Sequence, residues 1–195
     1  MSLSYDETLA ILKETGALKE GHFRLTSGLH SDHYVQCSQL LKYPRIAEKV
    51  CSALAEKFAD NKPDVVIGPA IGGILVAYEV ARALDVQAMF AERQDRVMTL
   101  RRGFTVEPGQ KVLITEDVFT TGGSAQEVVE LVQSMGGDVI AAGSIIDRTA
   151  GNTVKLKVPF QSLIKFEFQT YDPEVCPMCK QGIPAVKPGS RPEKK

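Results

Sequence analysis

The sequence predicts an α/β protein, a central parallel sheet flanked by helices and preceded by a small helix-and-hairpin region. Three observations carry that prediction. Short continuous apolar runs, such as Val65-Val66-Ile67 and Val112-Leu113-Ile114, alternate with longer segments of helical periodicity, the pattern of strands buried on both faces. The first run passes directly into a glycine-bearing loop that opens a helix, Gly68-Pro69-Ala70-Ile71-Gly72-Gly73, and the second reaches one, Thr120-Thr121-Gly122-Gly123-Ser124, through two adjacent carboxylates. The 195 residues, 44% hydrophobic and 24% charged, suit one domain spanning 1–195 with an ordinary core and a solvated surface.

In chain order, Ser4 and Glu7 have capping-box spacing, and Leu9, Ile11 and Leu12 follow at helical intervals, so a first helix runs from Tyr5 to Thr15 and stops near Gly16. Phe23 to Gly28 and His33 to Cys37 read as two short extended runs about a glycine-containing turn, a hairpin. Helix and hairpin together occupy about residues 1–40. Pro44 opens a helix through about Ala59, with Ile46, Val50, Leu54 and Phe58 on one face. The alternating part follows: strand 64–67, helix Gly72 to Leu84, strand Val86 to Ala91, strand Lys111 to Thr115, helix Ser124 to Met135, strand Asp138 to Ile146. Val154 to Val158 and Ser162 to Phe168 read as peripheral strands. From Pro173 to Lys195 the chain is rich in proline and charge and reads as a loose surface tail.

Bulk properties exclude several function classes. A formal net charge of −1 gives no global field for nucleic acid or an anionic membrane. The longest apolar stretches, such as Ile71 to Val80, are too short to span a bilayer. The first residues lack the basic and apolar regions of a secretory signal, which predicts a cytoplasmic protein whose four cysteines are reduced. Neither glycine loop is followed by the Gly-Lys-Ser/Thr of a nucleoside-triphosphate loop, and no Gly-x-Gly-x-x-Gly occurs.

The chemistry is concentrated in Thr115-Glu116-Asp117-Val118-Phe119-Thr120-Thr121-Gly122-Gly123-Ser124. Orphan amides and the helix dipole at the start of the following helix favour an anion such as a phosphate monoester. Glycines at 122 and 123 allow close backbone approach. Two carboxylates beside an anion site make sense if the ligand carries a diol or a divalent cation next to its phosphate, because a carboxylate accepts hydroxyl protons and holds Mg²⁺ directly or through water. The second loop, with Gly72 and Gly73, repeats the logic. Its glycines also suit tight strand-to-helix packing. Two such loops and an acidic pair on one sheet suggest a ligand with phosphates at both ends and hydroxyls between them.

The segment Ile114 to Ser124 resembles the phosphoribosyl pyrophosphate signature of type I phosphoribosyltransferases. Phe23-x-Leu25-x-Ser27-Gly28 with Ser31 and Tyr34, then Gly68-Pro69-Ala70, then Asp147-Arg148, look like the orotate-specific members of that family, in the same order and at similar separations. The resemblance implies the type I fold with an N-terminal hood, an Mg²⁺-dependent transfer of the 5-phosphoribosyl group from phosphoribosyl pyrophosphate to orotate in pyrimidine biosynthesis, and a homodimer with shared active sites. It also implies that Glu116 to Ser124 bind the ribose 5-phosphate part, that Glu116 and Asp117 meet the metal, and that Thr120 and Arg148 hold orotate. A planar carboxylate matches the Arg148 guanidinium on chemical grounds as well. The family's mobile catalytic loop aligns with Glu92 to Met98, where Arg93 and Arg96 fall on lysine positions and Arg101-Arg102 follow. Arginine grips pyrophosphate but stays protonated and is no general base. Thr26 and Gly72 also stand where lysines are usual in the enterobacterial branch. A purine base as acceptor, or a regulator that senses the same sugar, are the rival readings; the chain shows no DNA-binding segment to support the second.

Other residues are assigned plain roles. Cys176 and Cys179 have metal-ligand spacing but lack a second cysteine pair; His30 and His33 could complete a set, and the reading adopted is two reduced thiols in a surface turn. His22, His30 and His33 are expected to be ordinary polar residues. Phe119 is expected to pack rather than to stack on a base.

Overall fold

The computed structural model describes residues 2–149 and 156–188. The capping box is present: Ser4 N–H donates to Glu7 Oε2 at 2.9 Å and Glu7 N–H to Ser4 Oγ at 3.2 Å, and they open α1 (Tyr5–Glu14). A hairpin follows, β1 (Leu18–Arg24) with β2 (His30–Val35), antiparallel with a bulge between Glu20 and Phe23. Both strands begin earlier than the sequence predicts. Leu18 and Val35, both buried and paired across the ladder, anchor its open end. One short helix, α2 (Ser38–Leu41), leads to α3 (Pro44–Glu56), which has Pro44 in its first turn and buries Val50, Cys51 and Leu54.

The main sheet contains β3 (Val65–Pro69), β4 (Gln87–Gln94), β5 (Val97–Leu100), β6 (Lys111–Phe119), β7 (Asp138–Asp147) and β8 (Phe160–Lys165), in the spatial order β5-β4-β3-β6-β7-β8. Every neighbouring pair is parallel except β4–β5. Helix α4 (Gly72–Leu84) links β3 to β4, and α5 (Gly123–Ser134) links β6 to β7. Successive strand residues point to opposite faces. Val66 and Leu113 pack with Val50, Leu54, Val76 and Val80 from α3 and α4. Their neighbours Val65, Ile67, Val112 and Ile114 pack with Val128 and Val132 from α5 on the other side. This two-sided burial explains why these strands are continuously apolar.

Three segments differ from the sequence reading. Strand β6 runs past Thr115 to Phe119, so Glu116 and Asp117 lie within it. The expected mobile loop at 92–102 is largely a hairpin: β4 continues to Gln94 and turns into β5 through Asp95 and Arg96, at φ 50° and 71°, the left-handed conformation that a two-residue hairpin turn requires at both positions. The tail is not loose over its described part. Just before it, Tyr171 of β9 (Thr170–Tyr171) pairs with His30 of β2; within it, Cys176 is fully buried before α6 (Pro177–Lys180), and Val186 N–H donates to the His22 carbonyl at 2.8 Å. Of the two peripheral strands expected, one matches β8; Leu156 to Val158 are not in a strand, and Val154 and Lys155 lie outside the described residues.

Candidate active site

From β3 the chain proceeds to β4 on one side of the sheet, whereas β6 adds on the other side. The order therefore reverses between β3 and β6, and the loops after these two strands flank a crevice at the carboxyl edge, where ligands bind in open α/β sheets. These are the two glycine loops of the sequence.

Glu116 and Asp117 sit in the last part of β6, both partly buried. Burial raises the Glu116 carboxyl, the Asp117 charge raises it further, and Arg93 opposes them, leaving it at about 8. Asp117 is also raised by burial, against backbone N–H groups that hold the charged form. Two desolvated carboxylates on consecutive residues at the strand end, near enough for the charge of one to act on the other, suit a cation or hydroxyl donors. Across the crevice, Gly72 lies against Asp117: a Cβ there would stand 2.5 Å from Asp117 Cγ and Oδ1 and 2.6 Å from Oδ2. Gly73 differs. It is buried, and its Cβ would meet Pro69 at 2.8 Å and the Thr115 carbonyl at 3.0 Å, so it serves the packing of α4 on the sheet.

Beyond the acids, Thr120 and Thr121 are exposed. Gly122, at φ +72°, turns the chain into α5 and offers no side-chain cap. The Gly123 N–H donates a long bond to Thr121 Oγ1 at 3.4 Å, and this helix start beside two exposed hydroxyls is the kind of place that suits an anion. A Cβ on Gly123 would meet only Thr121 Oγ1, at 3.5 Å, so the approach to these amides is open. Phe119 is fully buried with its ring 4.4 Å from that of Phe160. It packs, as expected.

Arg148 follows β7 directly. Its N–H donates to the Phe119 carbonyl at 2.7 Å, which fixes it beside the Thr120 loop. No carboxylate pairs with its guanidinium among the described residues; Asp147 instead accepts from the Thr149 N–H at 2.8 Å. The guanidinium carbon lies 5.0 Å from the centre of the Phe168 ring, and burial lowers its pKa while Tyr34 and Cys37 raise it. Tyr34 belongs to the hood, so the hairpin reaches this side of the crevice. On the opposite side, Arg93 pairs with Glu127 of α5 at 2.6 Å, and Arg101 and Arg102 lie 3.7 and 3.2 Å from Glu92. Arg96 stands exposed at the hairpin tip.

Residues 36–174 match the phosphoribosyl transferase domain model. An orotate phosphoribosyltransferase of Pelotomaculum thermopropionicum is 56% identical over 189 residues, 97% of this chain and 99% of the relative. That of Thermotoga maritima is 54% identical, covering 93% and 96%. The chain belongs to the orotate phosphoribosyltransferase family. Among solved structures, the orotate phosphoribosyltransferase of Aeropyrum pernix superposes with a TM-score of 0.69 at 25% identity, over 81% of this chain and 93% of that one. The fold is therefore the type I phosphoribosyltransferase fold.

For a phosphoribosyltransferase the geometry collects most of the residues singled out in the sequence: Glu116, Asp117, the loop 120–124, Gly72 and Arg148 border one crevice, with Arg93 within electrostatic reach of Glu116. Val118 packs with the core beneath the crevice. Phe168 was not singled out. It supports the Arg148 guanidinium, and its ring stacks on those of His33 and Phe166 at 5.0 and 5.2 Å. The Phe166-x-Phe168 alternation was the available signal, but in the sequence it reads only as a peripheral strand. Among the described residues no helix is long and apolar enough to cross a membrane.

Proposed function

We propose that this chain transfers the 5-phosphoribosyl group from phosphoribosyl pyrophosphate to orotate, giving orotidine 5′-monophosphate and pyrophosphate for pyrimidine nucleotide synthesis in the cytoplasm. The observation that carries this reading is the adjacency of a desolvated carboxylate pair, an open helix N-terminus and a partly buried, carboxylate-free Arg148 in one crevice. The curated relatives' names, matched over almost the full chain, support the same substrates. Residues 1–195 act as one phosphoribosyltransferase domain, with its hood over about residues 1–40.

The α5 amides and the hydroxyls of Thr120, Thr121 and Ser124 hold the 5-phosphate, and Glu116 and Asp117 accept the ribose hydroxyls. Arg148, steadied by Phe168, pairs with the orotate carboxylate, and Thr120 adds a hydroxyl on the same ligand. As the C1–O bond to pyrophosphate breaks and the bond from orotate N1 forms, positive charge builds on the ribose ring, and the two carboxylates face it. The donor set fits a hard divalent cation, since two neighbouring acids are held in surroundings that disfavour their charge. Mg²⁺, when bound to them directly or through water, supplies neutralisation of the diphosphate leaving group. Arg93 and Arg96 on the β4–β5 hairpin grip pyrophosphate and exclude water.

The working unit is a homodimer. Ile71, Leu75 and Tyr78 are 85%, 51% and 61% exposed and recur along the start of α4 at helical spacing, an apolar stripe that suits a second copy of the chain. Orotate consumption with phosphoribosyl pyrophosphate and Mg²⁺ tests the function. Release of pyrophosphate with purine bases but not with orotate overturns it.

A further inference from the structure

We infer that His22, His30, Cys176 and Cys179 form a structural zinc site that fastens the substrate-facing hairpin to the C-terminal segment. The sequence reading, two reduced thiols in a surface turn with His30 and His33 the only candidates to complete a metal set, is corrected by the fold, in which Cys176 is fully buried. The fold brings His22 into the set instead, because His33 points to Phe168, whereas His22 lies in the β1 bulge, a device that re-aims a side chain.

The four ligand atoms lie within 4.8 Å of one another. His22 Nε2 stands 2.8 Å from His30 Nδ1, 3.5 Å from Cys176 Sγ and 3.8 Å from Cys179 Sγ, and Cys179 Sγ is 3.3 Å from His30 Nδ1. Tetrahedral zinc, with Zn–N near 2.05 Å and Zn–S near 2.3 Å, sets edges of about 3.3 Å between nitrogens and about 3.6 Å between nitrogen and sulfur. Against those edges the histidine nitrogens must part by about half an ångström and His30 Nδ1 and Cys179 Sγ by about 0.3 Å, while the two His22–cysteine distances already lie within about 0.2 Å of the tetrahedral value.

The hydrogen-bond pattern favours a cation over a polar cluster. The Ile183 carbonyl lies 2.7 Å from His22 Nδ1. Accepting the Nδ1–H fixes the tautomer and leaves the Nε2 lone pair facing inward, the usual support of a metal-bound imidazole. One imidazole nitrogen and two thiols then converge on that single lone pair. Hydrogen bonds can satisfy it once, while a central cation satisfies all four groups. Two thiolates and two imidazoles with no fifth position select zinc, in a closed and therefore structural site. Apart from the backbone bonds of Val186 with His22 and Arg24, the surrounding segment has little apolar burial to hold it. Helix α6 is a single turn, and Val175, Ile183 and Val186 are all more than two-fifths exposed. Gly182, at φ +73°, turns the chain so that Ile183 reaches His22.

The test uses the full chain without a histidine tag. Elemental analysis should find roughly one zinc per chain, the stoichiometry of a single closed site. Metal-free wild type titrated with Co²⁺ should develop the visible bands of tetrahedral cobalt and a thiolate charge-transfer band, saturating at the same ratio. Cys176→Ser/Cys179→Ser and His22→Gln should lose at least about nine-tenths of the zinc and melt at lower temperature, while His33→Ala should retain it. If the variants do not fold, the cobalt titration of the wild type decides alone. Wild type isolated without metal and giving no tetrahedral cobalt spectrum, variants that keep full zinc content, or Cys176 and Cys179 found as a disulfide would each overturn the site.

Discussion

Replacing Gly72 with alanine separates fold from function at a single atom. The residue opens α4 with an ordinary negative φ, so alanine is allowed there and gains roughly 0.5–1 kcal/mol of helix preference. Its Cβ, however, would stand 2.5 Å from the Asp117 carboxylate. The backbone of α4 is tightly seated, since a Cβ on Gly68 would stand 2.2 Å from the Gly73 carbonyl oxygen and one on Gly73 3.0 Å from that of Thr115, so the carboxylate is the part that yields. It must retreat by about 1 Å to reach ordinary contact, turning off its rotamer at a cost of about 0.5–1.5 kcal/mol. These terms nearly cancel, and the melting temperature should move by less than about 4 °C. A misplacement of about 1 Å at a group facing the reacting sugar costs about 100-fold in rate. The assay is orotate consumption under saturating Mg²⁺, beside a thermal melt of the same sample. A Gly72→Ala variant with kcat/KM within twofold of wild type and an unchanged melt would show that the Asp117 position is irrelevant to turnover.

Arg148→Lys removes the planar fork and its seat on Phe168; the KM for orotate should rise by about tenfold or more while that for phosphoribosyl pyrophosphate holds, and equal rises in both would refute the assignment. Glu116→Gln should stabilise the protein in a pH-dependent way. With Glu116 raised from 4.5 to about 8, the native state keeps a proton that the unfolded chain releases, so wild-type stability falls as pH rises from 4.5 through 8. The variant's advantage in melting temperature should be small near pH 4.5, grow across that window and level off above it; a constant difference contradicts the shift. Leu75→Glu with Tyr78→Glu should convert a dimer into monomers in sedimentation, and a wild type that already sediments as a monomer would dismiss the α4 interface.

Much of the sheet was legible because burial on both faces leaves a local mark. Val65 to Ile67 and Val112 to Ile114 have no polar partner in the sequence and sit at the centre of the sheet. The acid pair and its loop were readable for the same reason, being contiguous on one strand and turn. What stayed hidden was non-local or unusual in its local chemistry. The β4–β5 turn uses Asp95 and Arg96 at positive φ where glycine or asparagine is the common signal, so the hairpin read as a loop. The bulge at Glu20–Phe23 breaks the period of two in β1, which shifted the predicted strand. His22 and Cys176 are 154 positions apart, and only the folded chain brings them together.

The attachment of the hairpin to the far end of the sequence also constrains the order of assembly. His22 depends on the Ile183 carbonyl 161 residues later, and Arg24 on that of Val186. During synthesis the sheet and its helices can therefore collapse while the hood is still waiting for its partners. A chain interrupted before residue 176 would keep every strand of the main sheet and leave the hairpin without the Ile183 and Val186 bonds that fasten it.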